Sequence, residues 1–270
     1  MSSVPAPSPR LLIQKSLDEI KELYAQDPKI SSFKAIVYGD FGSGKTTAAC
    51  TGRAPVLLHS FDPGGTTSVR DKIASGIVYA DTRFEVESCD DVSKIQAYNL
   101  WRDAFKKLLV NKVFDGLGTY VLDSLTTMSE AILNQILKAA GRPNSIPQIQ
   151  DYQHLGNALR DMMKVLASLP CDVVVVGHME AEKDEITGRI NSSLMVTGKM
   201  KNKLPLLFDE VYVALPKDTN AGVQYQLLTQ NDGVYKARTR IGAGGKFNKY
   251  EPANLRGLLA KAGLPSEDIR

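Results

Sequence analysis

Residues 39–47 read Gly-Asp-Phe-Gly-Ser-Gly-Lys-Thr-Thr: a glycine, four residues, then Gly-Lys-Thr, the spacing of a loop that cradles a chain of phosphates. Gly39, Gly42 and Gly44 admit backbone conformations closed to residues bearing a Cβ, so successive N–H groups can curl around phosphate oxygens. The expected nucleotide cradle is Gly39, Asp40, Phe41, Gly42, Ser43, Gly44, Lys45, Thr46 and Thr47. Within it Lys45 is spaced to reach the β- and γ-phosphates, and the Thr46 hydroxyl to ligate a Mg2+ ion that bridges them. A carboxylate completes the set. Residues 119–124, Thr-Tyr-Val-Leu-Asp-Ser, are an apolar run ending in Asp123, which is expected to hold the Mg2+ directly or through water.

Strand, loop and helix must position these groups. Residues 35–38, Ala-Ile-Val-Tyr, make the short apolar run of a buried strand entering the loop, and residues 46–50 open a helix whose positive end adds to the anion site. Residues 55–61 read as a second strand that ends in the turn Asp62-Pro63-Gly64-Gly65. Short strands are expected at 76–80 and 83–86. Helices follow at 92–110, with Ile95, Leu100, Phe105 and Leu108 inward, and at 125–140, closed by Gly141 and Pro143. A polar loop over 142–151 leads to a helix over 152–169. Four consecutive valines within 171–176 suit a parallel strand covered on both faces, ending at Gly177 and His178. Residues 179–204 hold no sustained period and read as a long mobile loop. A strand at 209–215 precedes a hairpin of 223–228 and 234–238 around Asn231-Asp232-Gly233. A glycine-rich stretch at 241–247 and a helix at 252–262 close the chain.

Strands alternating with helices imply an α/β fold: a mainly parallel twisted sheet with helices on both faces and a C-terminal antiparallel hairpin. The 270 residues suffice for one such domain. Residues 1–10 read as a disordered tail, 11–33 as an amphipathic helix and linker, 34–240 as the core, and 241–270 as a glycine-rich loop and helix. A formal charge of +3 does not prescribe a nucleic-acid partner, so any such reading rests on where the charge lies. Cys50, Cys89 and Cys171 lack the spacing of a zinc site or disulfide framework and read as core thiols. The sequence has neither a signal-peptide core nor an apolar run of membrane length, so a soluble cytoplasmic protein without a membrane partner is expected.

Absent motifs narrow the nucleotide-binding class. No strand is followed by the Asn-Lys-any-Asp that reads guanine, and there is no Leu-Ser-Gly-Gly-Gln signature of a transporter cassette. Ser124 stands where the AAA+ class places a glutamate after its strand-end aspartate, which points away from that class.

In the order of its parts the chain resembles the RecA-like P-loop ATPases over residues 34–240. More narrowly it resembles the short phage-encoded RecA-like ATPases of the single-strand annealing class, which keep the core and lack the N-terminal domain of RadA-type recombinases. Residues 38–47, 61–65 and 173–178 carry that likeness. The resemblance implies roles. The glutamate that orients the attacking water in RecA-like ATPases falls at Asp62, one methylene shorter, so Asp62 is either the base or only part of a turn. The glutamine that senses the γ-phosphate falls at His178, for which a satisfied strand-end polar residue is the alternative.

The family's two DNA-contacting loops fall on 142–151 and 179–203, which brings forward Arg142, Arg189, Lys199, Lys201 and Lys203. The three lysines alternate, so an extended chain would project them on one side toward successive phosphates; a solvated surface run is the alternative. Aromatic residues are scarce there apart from Tyr152, so sequence-independent backbone contacts are expected. Lys236-Ala237-Arg238 resembles the Lys-any-Arg finger that ring helicases insert into a neighbouring subunit's site, with Arg240 as a substitute; two basic residues on a strand face without function are the alternative.

The resemblance thus implies an ATPase with ATP and Mg2+ as ligands, assembled with itself into a ring or filament on single-stranded DNA for recombination or strand annealing. A single-strand-binding or other recombination protein would be a further partner, in the host cytoplasm if the chain is phage-encoded. A ring motor or helicase-type ATPase, and a nucleotide-gated scaffold that binds a protein partner with little hydrolysis, stand as alternatives.

Overall fold

The computed structural model describes residues 9–25, 32–87, 91–183, 185 and 188–269. Helix α1 (Pro9–Ala25) leads to β1 (Lys34–Gly39), α2 (Lys45–Ala49), β2 (Val56–Ser60), α3 (Arg70–Ala74), β3 (Val78–Asp81), α4 (Ala97–Val110), β4 (Thr119–Asp123) and α5 (Leu125–Ala139). Then come α6 (Ile149–Ala167), β5 (Asp172–Lys183), β6 (Ile190–Leu194), α7 (Met200–Lys203), β7 (Glu210–Thr219), β8 (Gly222–Leu228), β9 (Tyr250–Pro252) and α8 (Leu255–Ala262).

The strands form one sheet in the order β3-β2-β4-β5-β1-β7-β8-β9, with β6 paired to β5 alone. Neighbours from β3 to β7 are all parallel, and β8 and β9 add antiparallel. β1 lies between β5 and β7 with every residue buried. Side chains alternate across a strand, so Ile36 and Tyr38 join a core with Trp101, Phe105, Leu155 and Leu159, while Ala35 and Val37 join another with Ala48, Leu255 and Leu258. Helices α4, α5 and α6 thus cover one face and α2 and α8 the other. Val173 to Val176 of β5 are all buried. Burying each such side chain contributes about 1.5–3 kcal/mol, which holds β5 inside the sheet between β1 and β4. This is the mainly parallel sheet with helices on both faces expected from the sequence, and one strand, β5, separates the loop strand from the Asp123 strand.

Several local expectations need correction. Residues 179–204 are not a structureless loop: β5 runs on to Lys183 and pairs antiparallel with β6 from Met179↔Leu194 to Lys183↔Ile190. The antiparallel hairpin is present, but the partner of β8 is β7, with Thr219 opposite Gly222 at the turn. Residues 234–238 contribute only isolated bridges at Tyr235 and Arg238, because the Asp232 carboxylate takes the Val234 and Tyr235 N–H groups that a strand would need. Residues 83–86 form no strand, and the helix expected from 92 begins at Ala97, with Trp101 and Phe105 buried and Leu100 exposed. Pro9 and Arg10 belong to α1 rather than to a tail; residues 1–8 and Cys89 lie outside the described residues. Cys50 and Cys171 are buried thiols.

Candidate active site

The parallel register decides what meets at the C-terminal ends of the strands. Gly39 lies opposite His178, and Ser60 opposite Asp123, so the loop, Asp62, Asp123 and His178 converge on one edge of the sheet, where open α/β sheets bind ligands. Gly42 and Gly44 have φ of 69° and 81°, a region that disfavours any Cβ. A Cβ on Gly39 would come within 2.6 Å of the Ala214 carbonyl. Ser43 Oγ and Lys45 Nζ both donate to the Asp40 carbonyl, at 2.7 and 2.6 Å, and hold the loop curled. Burial lowers the Lys45 pKa while Asp123, Asp62 and Asp40 act to raise it. Phe41 is exposed at the loop tip, and Thr46 and Thr47 lie in α2.

Thr46 Oγ1 donates to Asp123 Oδ2 at 2.5 Å. Burial pushes the Asp123 carboxyl up to about 6; the Thr46 bond opposes that rise and the Asp62 charge adds to it. A hydroxyl and a carboxylate, both hard oxygen donors, therefore converge on one point, which fits Mg2+, an ion that keeps several waters and phosphate oxygens around one or two protein ligands. Among the described residues no cluster of three His, Cys, Asp or Glu is arranged to hold a metal by itself.

Asp62 stands just past β2. Its Oδ1 accepts from Ser124 Oγ at 2.8 Å and from Thr127 Oγ1, and its Oδ2 pairs with His178 Nε2 at 2.9 Å. Burial pushes this carboxyl up, but hydrogen bonds from His178, Thr127 and Ser124 outweigh it and leave it below its usual value. Two carboxylates in one site thus tend in opposite directions, a pattern that separates roles: Asp62 stays ionised, while Asp123 gains from a cation.

His178 marks the point where β5 leaves the main sheet. Its N–H donates to Thr126 Oγ1 at 3.0 Å, its carbonyl accepts from Met195 N at 2.9 Å, and Thr126 Oγ1 donates to the Met195 carbonyl at 3.0 Å. Alternate residues share one side of a strand, so Glu180 and Glu182 lie on the side of His178. Both accept from Lys201 Nζ of α7, Glu180 at 3.3 Å.

The basic residues expected from sequence divide. Lys199, Lys201 and Lys203 do not alternate along extended chain: α7 is a helical turn starting next to Lys199, and Lys201 is taken up by the two glutamates. Lys199 and Lys203 instead line a cleft of about 350 Å³ with Tyr152 and Arg160 of α6. Arg142 pairs with Asp151 at 2.9 Å, fastening the start of α6, and Arg189 precedes β6. Lys236 and Arg238 share no exposed strand face. Lys236 Nζ donates to Asn202 Oδ1 at 3.1 Å, Arg238 turns inward to the Pro205 and Phe208 carbonyls at 2.8 and 2.6 Å, and Arg240 pairs with Asp209 at 2.7 Å.

Sequence reasoning missed Ser124, Thr126 and Thr127 as partners of Asp62 and His178. A serine at a strand end followed by two threonines in the first helical turn is the signal that was available, since Ser124 is also the N-cap of α5. Arg160 and Tyr225, the latter beside the glycine loop, carried no sequence signal.

Residues 31–241 match the protein family described as the AAA domain. No curated protein matches the sequence. Solved structures that are similar include a KaiC-like protein of Pyrococcus horikoshii OT3, at 10% identity and a TM-score of 0.37, over 76% of this chain and 81% of that one. The flagellar accessory protein FlaH of Methanocaldococcus jannaschii is 10% identical with a TM-score of 0.36, over 81% of this chain and 85% of its own. An ATPase from the type III secretion system of pathogenic bacteria is 16% identical with a TM-score of 0.39, over 67% of this chain and 50% of its own.

Proposed function

Because the chain belongs to the AAA domain family through residues 31–241, we propose that it is an ATPase whose turnover is coupled to single-stranded DNA held between α6 and α7, in a self-assembled ring or filament serving recombination or annealing.

In this reading the loop N–H groups and Lys45 take up the β- and γ-phosphates, the lysine exchanging the Asp40 carbonyl for charge-assisted bonds to phosphate oxygens. Thr46 and Asp123 would hold Mg2+, which when bound neutralises phosphate charge and orients the γ-phosphoryl group. Asp62, held ionised by Ser124 and Thr127, and by His178 until ATP arrives, accepts the proton of the attacking water, reaching it through a second water where its side chain falls short. His178 donates to the γ-phosphate when ATP is present and returns to Asp62 when it is gone.

The observation that carries the coupling is one face of β5. It begins at His178 against Asp62 and continues through Glu180 and Glu182 to Lys201, whose neighbours Lys199 and Lys203 line the basic cleft with Tyr152. A basic groove with an aromatic platform is the combination that binds single strands without regard to sequence. The test compares ATP hydrolysis with and without single-stranded DNA across a salt series, for wild type and Lys199→Ala/Lys203→Ala. DNA stimulation is expected, and the DNA affinity taken from its half-saturation should have a log–log salt slope shallower by about 1.4 in the double variant, because each phosphate of a single strand that is no longer neutralised lowers the slope by roughly 0.7. Turnover indifferent to DNA, in a protein that binds none with ATP present, overturns the coupling.

A second reading, the nucleotide-gated scaffold, is favoured by the inward Arg238, whose Nη2 is taken up by the Pro205 and Phe208 carbonyls rather than turned toward a neighbour's nucleotide. It calls for tight ATP binding with turnover that neither DNA nor protein concentration raises.

A further inference from the structure

Tyr225 lies on β8, two strands from β1 in the sheet, and its ring presses on the glycine loop. A Cβ on Gly44 would fall 2.7 Å from Tyr225 Cδ1 and 2.9 Å from Cγ. Yet the residue is 44% exposed. Together with Gly42, Lys45, Thr46, Thr47 and Ser68 it borders a cavity of about 260 Å³. Pockets that enclose a drug-sized ligand run to roughly 300–1,000 Å³, so this one takes the phosphate end of a nucleotide and leaves the base at its rim. The rim offers two groups suited to a base, the Tyr225 ring and the hydroxyl of Ser68, which sits in the short turn Gly65–Val69.

Resting on the nucleotide reading above, we infer that Tyr225 is the base platform of this site. The nucleobase stacks on its ring while the phosphates occupy the loop that the same ring touches. Stacking engages the π-face that every base possesses. A single hydroxyl cannot read both a donor and an acceptor pattern along a base edge with the geometry that separates adenine from guanine. The ligand class is therefore nucleoside triphosphates, with the adenine and guanine members held with little distinction between them. The absence of any guanine-reading motif is then matched by the absence of an adenine-reading group among the described residues that line the cavity. Gly44 acquires a second reason to be glycine: beyond its backbone conformation, it leaves the ring room to lie against the loop.

The test is calorimetric titration of wild type, Tyr225→Ala and Tyr225→Phe with ATP, GTP and inorganic tripolyphosphate, each with Mg2+. Loss of the ring is expected to weaken ATP and GTP by about 10-fold each, the range that removal of a stacking aromatic gives. Tyr225→Phe keeps the platform and should bind both within about 2-fold of wild type. Tripolyphosphate, which has no base, should bind all three proteins alike. ATP affinity unchanged in Tyr225→Ala overturns the inference. So does an equal loss for tripolyphosphate, because the ring would then be propping the loop rather than meeting the base. Wild-type protein that binds ATP at least about 100-fold more tightly than GTP overturns the tolerance of the site. Wild-type protein that binds neither triphosphate nor tripolyphosphate defeats the nucleotide reading itself, an outcome distinct from the others.

Discussion

Asp62→Asn removes a charge at nearly constant size, and the surroundings of Asp62 allow the consequences to be worked out separately for folding and for turnover. The amide oxygen of asparagine still accepts from Ser124 and Thr127, and its NH2 can face His178 Nε2 in the tautomer that accepts. What disappears is charge assistance. A hydrogen bond to a charged group contributes about 1.5–3 kcal/mol and a neutral one about 0.5–1.5, and the side chain is only 21% exposed. With three bonds each weakened by about 1–1.5 kcal/mol, the fold loses about 3–4.5 kcal/mol at most out of a typical stability of roughly 5–15, and the variant is expected to remain folded. Turnover loses more, since a positioned general base contributes about 10²–10⁴-fold. Because Asp62 bonds to Ser124, Thr127 and His178 and not to the glycine loop, ATP affinity should stay within about 3-fold, so kcat falls without KM following it. Phosphate release under saturating ATP, calorimetric ATP binding and a thermal melt give the three numbers. Turnover within about 3-fold of wild type would show that Asp62 serves only the turn, and a parallel fall in ATP affinity would mean that it supports ground-state binding instead.

Other expectations follow from the remaining ionisable groups. The Asp123 carboxyl titrates at about 6 in the fold against 3.8 unfolded, so the folded state binds the proton between those values. The nucleotide-free protein should therefore gain stability from this group as pH falls from 7 toward 4, by about 3 kcal/mol at most. Asp123→Asn should capture that gain at pH 7 as a raised melting temperature while abolishing turnover; a lowered one refutes the burial argument. The same proton competes with Mg2+, so Mg2+-dependent ATP affinity, followed by titration calorimetry, should fall about tenfold per pH unit below about 6. Asp62 acts in the opposite sense: its contribution is present above 3.8 and is lost as pH falls through its depressed folded value. Arg238→Ala strips two carbonyls of their donor and should cost about 2 kcal/mol of stability. An unchanged melting curve with lost turnover would restore Arg238 as a finger acting on a neighbour.

The nucleotide end of the molecule was legible because its chemistry leaves few choices of residue. Gly42 and Gly44 announce left-handed backbone, Lys45 and Thr46 follow at fixed offsets, and four valines before Gly177 announce a buried parallel strand. The end built from β6, α7 and α6 was not legible because its geometry depends on pairings distant in sequence. Nothing local marks Met179 to Lys183 as a strand until Ile190 to Leu194 is present to pair with it, and the spacing of Lys199, Lys201 and Lys203 fits extended chain and a helical turn equally. Lys201 could not be recognised as an internal partner of Glu180 and Glu182 before that arm existed. Arg238 turned inward for a similar reason: the carbonyls of Pro205 and Phe208 reach it only through the return of the chain after α7. Tyr225 became visible only when two strands were placed beside β1.

The central position of β1 sets a hierarchy of opening motions. Its amides are bonded to parallel neighbours on both edges and none of its residues reaches solvent, so they exchange with solvent hydrogen only when the whole domain unfolds. The outer halves of β5 and β8 are half-buried to exposed and belong to the part of the molecule that frays locally. The glycine loop thus grows out of the slowest-opening segment, while His178 and Tyr225 lie where the free energy of opening is small enough for a bound ligand to change it.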